Sequence, residues 1–205
     1  RGRHPQPRLR LLVQLPYLQR KAQLAAWIDR TEKLHDFDRL PGRLVGLDTE
    51  FMRTDSFAPK MALIQIEIDA QIALIDPIAD IDMSVLARRL GDPRTVSIMH
   101  SASEDLDALG SLLPNSLGTL FDTQIAAAFC GLGAGLGYQK LVLIVCGVDL
   151  PKGETRSDWL QRPLTPSQLE YAAQDVIHLP VLHADLSARL SSRGFADWHA
   201  EDCAR

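Results

Sequence analysis

The sequence predicts an α/β domain with a mixed central sheet flanked by helices. Three apolar segments, 43–51, 61–68 and 71–77, follow one another across short breaks, as meandering strands do. After them, helical and strand-like patterns alternate, which is the signature of crossover connections. The chain has 205 residues, 46% hydrophobic and 23% charged, enough to bury a sizeable core without disulfides or structural metals.

The first segment, "RLVGLDTEF" (43–51), is apolar until Asp48. A loop holding Pro59 leads to "MALIQIEI" (61–68), and a turn at Asp69 and Ala70 leads to "QIALIDP" (71–77). Val85, Leu86 and Leu90 have helical spacing, so a helix is expected over 83–90, stopped by "GDP". "TVSIMH" (95–100) is another strand; Ser101 is then expected to open a helix, with Glu104 in the capping-box position. A further helix should follow Asp122, which caps it. The glycine-rich "CGLGAGLG" (130–137) fits neither G-x-G-x-x-G nor the Walker pattern and reads as a loop. The best-defined helix start is in "PLTPSQLEYAAQDV" (163–176), where Thr165 caps, Pro166 takes the first helical position and Gln168 completes a capping box. Pro180 should kink or end this helix, with helical pattern resuming over 182–190. Gln65 and Trp159 read as packing residues.

Composition narrows the function. No apolar run approaches the roughly 20 residues needed to span a bilayer. The N-terminal segment is basic, but Pro5, Pro7 and Pro16 interrupt it and no signal-peptide apolar region follows. Cys130, Cys146 and Cys203 are odd in number and lack C-x-x-C spacing, which fits a reducing cytoplasm rather than a disulfide framework or a zinc site. A net charge of −4 weighs mildly against nucleic acid as partner, although clustered metal-binding carboxylates lower the total without removing a local basic groove.

Asp48 and Glu50 share one face of their strand, about 6.6 Å apart along it. An acidic pair at a strand end is ordinarily a solvated rim, but two other stretches supply partners. Asp105 falls early in a helix that follows a strand, the region where ligands collect in open α/β sheets; the plainer reading is that it complements the helix dipole. Tyr171 and Asp175 stack on one helix face, with roughly 5–6 Å between their β-carbons. Together the four carboxylates could hold divalent cations. Mg²⁺ prefers oxygen ligands, and two ions about 3.5–4 Å apart can clamp both oxygens of a phosphodiester displacement. Tyr171, with an ordinary pKa near 10, would position the attacking water more readily than deprotonate it.

The stretches "GLDTEFMR", "LIQI", "LIDP", "MHSASEDLDAL", "FDTQIAAAF", "GYQKLV" and "KGETRSDWLQRPLTPSQLEYAAQDV" resemble, in order, the ribonuclease D family of 3′→5′ exonucleases, within the DEDD superfamily branch that has tyrosine in its third motif. The resemblance runs from about residue 43 to residue 190. It implies a ribonuclease H-like fold. It also implies that Asp48 and Glu50 form the first motif, Asp105 the second, and Tyr171 with Asp175 the third. Two Mg²⁺ or Mn²⁺ ions would be held by Asp48, Glu50, Asp105 and Asp175, and 5′-nucleoside monophosphates would leave RNA 3′ ends or short oligonucleotides.

Neighbouring residues gain expected roles. Phe51 and Met52 could wedge against the terminal base, and His100 and Ser101 could contact the terminal sugar. Lys152, Arg156 and Arg162 could neutralise backbone phosphates. Residues 1–42 are expected to form a basic segment and lead-in helix, and 43–205 the catalytic domain. Ending at Arg205 without C-terminal helical domains of the HRDC type, the sequence is expected to be either a longer chain cut short or a catalytic-domain-only member, which favours short or single-stranded substrates over structured precursors. "SFAPK" (56–60) stands where the family often has aromatics, which should weaken base stacking there. Single-stranded DNA or dinucleotides are the alternative substrates, and a non-catalytic nucleic-acid-binding module is the third reading.

Overall fold

A computed structural model describes residues 25–53, 59–110, 117–151, 153–154 and 157–205. Six strands form one mixed sheet: β1 (Ala26–Ile28), β2 (Leu44–Met52), β3 (Lys60–Ile68), β4 (Gln71–Ile75), β5 (Val96–Met99) and β6 (Thr119–Asp122), in the order β1-β4-β3-β2-β5-β6. The β2–β3–β4 meander is antiparallel, whereas β1 joins β4, β5 joins β2 and β6 joins β5 in parallel. The β3–β4 turn is where the sequence puts it. Asp69 and Ala70 both take positive φ, as a tight two-residue hairpin requires, and the Ala70 N–H donates to the Glu67 side chain at 2.7 Å.

Helices cover both faces. One apolar core lies under α4 (Thr123–Phe129), α5 (Tyr138–Cys146), α6 (Pro166–Ile177) and α7 (Leu179–Arg193). The other lies under α1 (Thr31–Asp38), α2 (Ser84–Gly91) and α3 (Ser103–Gly110). A last helix, α8 (Ala196–Cys203), packs on β6 and α7. Such two-sided burial explains why β3 and β4 read as near-continuous apolar runs. Among the described residues no helix is long and apolar enough to cross a membrane, and none of the three cysteines forms a disulfide.

Strand register creates the space for a site. β5 pairs with β2 only as far as Gly46, while β2 continues beside β3 to Met52. The stretch carrying Asp48 and Glu50 therefore projects past the end of β5, where chain leaving β5 can turn back over it. This is the C-terminal edge of the parallel strands, the usual ligand-binding edge of such sheets.

One expected helix start is corrected. Ser101 does not open α3 through a capping box with Glu104. It takes a left-handed φ of 59°, and the helix begins at Ser103. The Asp122 carboxylate, arriving at the end of β6, accepts from the Ser101 and Ala102 N–H groups at 3.1 and 2.9 Å. Glu104 pairs instead with Arg53.

Candidate active site

β2 sends alternate side chains to opposite cores. Val45, Leu47 and Phe51 join the α1–α3 side, and Met52 joins the α4–α7 side with Gly46 between. Asp48 and Glu50 thus face α6 and α7. A Cβ on Gly46 would lie 3.2 Å from the Val176 carbonyl oxygen and 3.4 Å from the Leu179 Cβ. The bare backbone lets the end of α6 settle onto β2, and Asp175 arrives beside the strand's carboxylates. Ligand oxygens of Asp48, Glu50 and Asp175 lie within 4.8 Å of one another.

The phase of α6 is fixed at its start. Thr165 accepts from the Gln168 N–H at 3.2 Å, and the Gln168 side chain accepts from the Thr165 N–H at 2.9 Å, with Pro166 in the first turn. That phase puts Tyr171 and Asp175 on one face, where the phenol holds the Asp175 carboxyl down. The tyrosine ring stacks 6.1 Å from Trp159 and presses on the backbone of Gly153, where no Cβ would fit.

Asp105 comes from α3. Its Oδ1 accepts the hydroxyl of Thr49 at 2.5 Å. It stands outside the group of three converging carboxylates, yet close enough that its charge raises the pKa of each of them.

Burial is the largest cause of every shift in this cluster, and mutual repulsion adds to it. Glu50 is pushed up to about 9 by burial, then by Asp175 and Asp105. Asp175 rises to about 8 through burial and Asp105, opposed by the hydrogen bond from Tyr171. Asp105 reaches about 6, with Thr49 holding it down. Asp48 is driven well above the carboxylate range by burial, Asp175, Asp105 and Glu50. Burial and the neighbouring carboxylates also push the Tyr171 phenol upward, so it stays a proton donor at neutral pH. This all-oxygen donor set, strained by its own charge, fits a hard divalent cation.

Beside α6 opens a cleft of about 400 Å³ lined by Tyr171, Gln174, Asp175, Glu154 and Ser157. The expected substrate contacts are placed unevenly around the site. Ser101 is exposed in the turn that leads into α3. Met52 lies on the carboxylate side of β2 and Phe51 on the other, under the Arg53 guanidinium at 5.7 Å; both are partly buried. His100 points inward, its Nδ1 2.9 Å from the Thr123 hydroxyl. That hydroxyl donates to the Met99 carbonyl, so Nδ1 carries the imidazole proton. The other ring nitrogen is buried. Lys152, Arg156 and residues 54–58 of the loop before β3 lie outside the described residues, as does the basic segment 1–24.

Arg162 is not a phosphate ligand. Its guanidinium grips Asp76 at 2.7 and 2.8 Å, donates to the carbonyls of Ala62, Trp159 and Gln161, and stacks 5.5 Å over Trp27. Every donor is engaged inside the fold, which holds the segment before α6 against β3 and β4.

Sequence reasoning missed Thr49, Gly46 and the reach of Asp122 to the Ser101–Ala102 turn. A glycine inside a strand is a known mark of close backbone approach and could have flagged Gly46. Thr49 sits in an alternating strand with no signal of its own. Gln65 is wholly buried, opposite Asp48 in the β2–β3 register, and neither amide atom has a hydrogen-bond partner among the described residues.

A family model described as 3′-5′ exonuclease matches residues 17–191. Ribonuclease D of Xanthomonas oryzae pv. oryzae is 48% identical over 186 residues, covering 87% of this chain and 50% of its own length. Ribonuclease D of Pseudomonas paraeruginosa is 49% identical over 158 residues, covering 77% and 42%. The solved structure of Escherichia coli RNase D matches with a TM-score of 0.85 and 36% identity, over 89% of this chain and 49% of that one. The chain spans about half the length of the curated relatives it matches.

Proposed function

The chain belongs to the 3′-5′ exonuclease family, and from that premise we propose that it is a metal-dependent exoribonuclease releasing 5′-nucleoside monophosphates from the 3′ ends of single-stranded RNA or short oligonucleotides. The observation that carries this reading is the convergence of Asp48, Glu50 and Asp175 beside Tyr171, with Asp105 tied down next to them. Catalysis is assigned to the 43–205 region.

In this reading Asp48, Glu50, Asp105 and Asp175 hold two Mg²⁺ or Mn²⁺ ions, with Asp105 completing the set from α3. Bound there, the ions would supply Lewis-acid stabilisation of the attacking and leaving oxygens. Asp175, one turn along the same face of α6, orients Tyr171. The phenol keeps its proton and orients the attacking water by hydrogen bonding. Ser101 and Met52 are the described residues best placed to meet the terminal nucleotide, with Phe51 and His100 shaping the wall behind them. Lys152 and Arg156 are proposed to face the phosphate backbone. E. coli RNase D is described as an exoribonuclease involved in structured RNA processing; the proposal for this chain takes the hydrolytic chemistry and the RNA substrate class. Its place of action is the cytoplasm.

The test uses RNA and DNA oligonucleotides of one sequence, each with a free or a blocked 3′ end. Mg²⁺-dependent ladders from RNA with a free 3′ end, abolished by the block, are expected. Equal or faster degradation of DNA would move the assignment to a deoxyribonuclease, and degradation of 3′-blocked RNA would overturn the polarity.

A further inference from the structure

The junction between α6 and α7 is held by a side chain from elsewhere in the fold. α6 ends at Ile177 and α7 begins at Leu179, with Pro180 in its first turn. In an unbroken helix the His178 N–H would donate to the Gln174 carbonyl. Here it faces Val176, and the Gln174 carbonyl gains a donor from another helix. The Tyr138 hydroxyl, from the first residue of α5, donates to that carbonyl at 3.0 Å.

Tyr138 is well set for this task. Its ring meets His100 edge-on with centroids 5.5 Å apart, and His178 at 6.5 Å. His100 in turn is anchored to Thr123 on α4 and begins the turn that leads into α3 and Asp105. The ring therefore spans the elements that deliver two of the acidic side chains. Its phenol is raised well above the ordinary range by burial, then by Asp175 and Asp48, so it remains a donor throughout the neutral range. A side chain inserted into a helix ladder is a recognised cause of a fixed bend.

We propose that Tyr138 is a positioning residue for Asp175: by donating to the Gln174 carbonyl it fixes the last turn of α6 and so the carboxylate's approach to Asp48 and Glu50. This rests on the reading of Asp175 as a metal-holding carboxylate. Tyr138→Phe removes the donor and keeps the ring contacts. Because it removes that hydrogen bond, the half-saturating Mn²⁺ concentration should rise about tenfold. Amide exchange at residues 175–178 of the metal-free protein should quicken by a similar factor, about tenfold.

The experiment pairs calorimetric Mn²⁺ titration with hydrogen exchange on wild type, Tyr138→Phe and Leu141→Ala. The last is a core truncation on the same helix. Leu141→Ala should lower the melting temperature without moving the Mn²⁺ midpoint, whereas Tyr138→Phe should move the midpoint by more than its loss of stability explains. Wild-type Mn²⁺ affinity and exchange in Tyr138→Phe would overturn the proposal and leave the nuclease reading intact. A wild-type chain that takes up no Mn²⁺ would overturn the metal reading instead, and the exchange rates at 175–178 would still decide whether Tyr138 holds the junction.

Discussion

Thr49 donates its hydroxyl to Asp105 across 2.5 Å, joining the first acidic strand to the helix that carries the second motif. The bond opposes burial, which pushes the Asp105 carboxyl up to about 6. Thr49→Val keeps the side-chain shape and removes the donor. Losing a hydrogen bond to a charged group should raise Asp105 by roughly one unit. The acid limb of the metal-dependent rate should move to higher pH by the same amount. An unmoved limb would show that Asp105 does not titrate with catalysis.

The acidic cluster should also make the metal-free protein lose stability with alkali. In the folded chain Asp175 and Glu50 keep their protons to about 8 and 9, whereas unfolded carboxylates release theirs near 4. The folded state therefore binds more protons between those limits, and stability falls as pH climbs through them. Buried His100, His178 and His183, whose pKa values are lowered, pull the other way, but only below about 6.5. Thermal melts without metal should show a falling melting temperature from pH 7 to 9, and Mn²⁺ should restore more of it at pH 9 than at pH 7. A metal-free melting temperature that rises over this range would contradict the placement of these carboxylates.

Arg162→Ala should damage folding rather than chemistry. It strands Asp76, which is 7% exposed, and breaking one partner of a buried ion pair costs about 3–5 kcal/mol. Urea denaturation should register that loss, while substrate affinity per folded molecule stays near wild type. A selective rise in KM with normal stability would return Arg162 to the phosphate-binding set.

Gly46→Val tests the contact that seats α6. A β-branched residue suits a strand, but here it must push against the Val176 carbonyl and the Glu67 side chain, 3.2 and 3.3 Å from the new Cβ. Overpacking of this kind costs about 1–3 kcal/mol, and the displaced helix end carries Asp175 with it. Activity at a temperature where the variant is folded should fall well below that of Leu141→Ala. Full activity would mean that the helix position is not set at Gly46.

Much of this site was legible because its chemistry is local. The Asp48–Glu50 alternation, the Thr165–Pro166–Gln168 start and the Tyr171–Asp175 spacing each follow from one element's geometry. What stayed hidden depends on pairs brought together by the sheet. Asp122 reads as the cap of α4, yet its reach to Ser101 and Ala102 exists only because β6 pairs with β5. Arg162 sits among basic residues in a loop-like stretch, so its burial against Asp76, distant in the chain, carried no sequence signal. Tyr138 opens a helix that is apolar from Leu141 on, which hides a hydroxyl that reaches the end of another helix.

The most direct measurement is mononucleotide release from 5′-labelled single-stranded RNA, with Mg²⁺ or with EDTA, by wild type, Asp48→Asn and Asp175→Asn, each shown by its melting curve to be folded. The wild type should shorten the RNA stepwise from the 3′ end only when Mg²⁺ is present, and both variants should fall to the EDTA background. Wild-type trimming by either folded variant would contradict the carboxylate site.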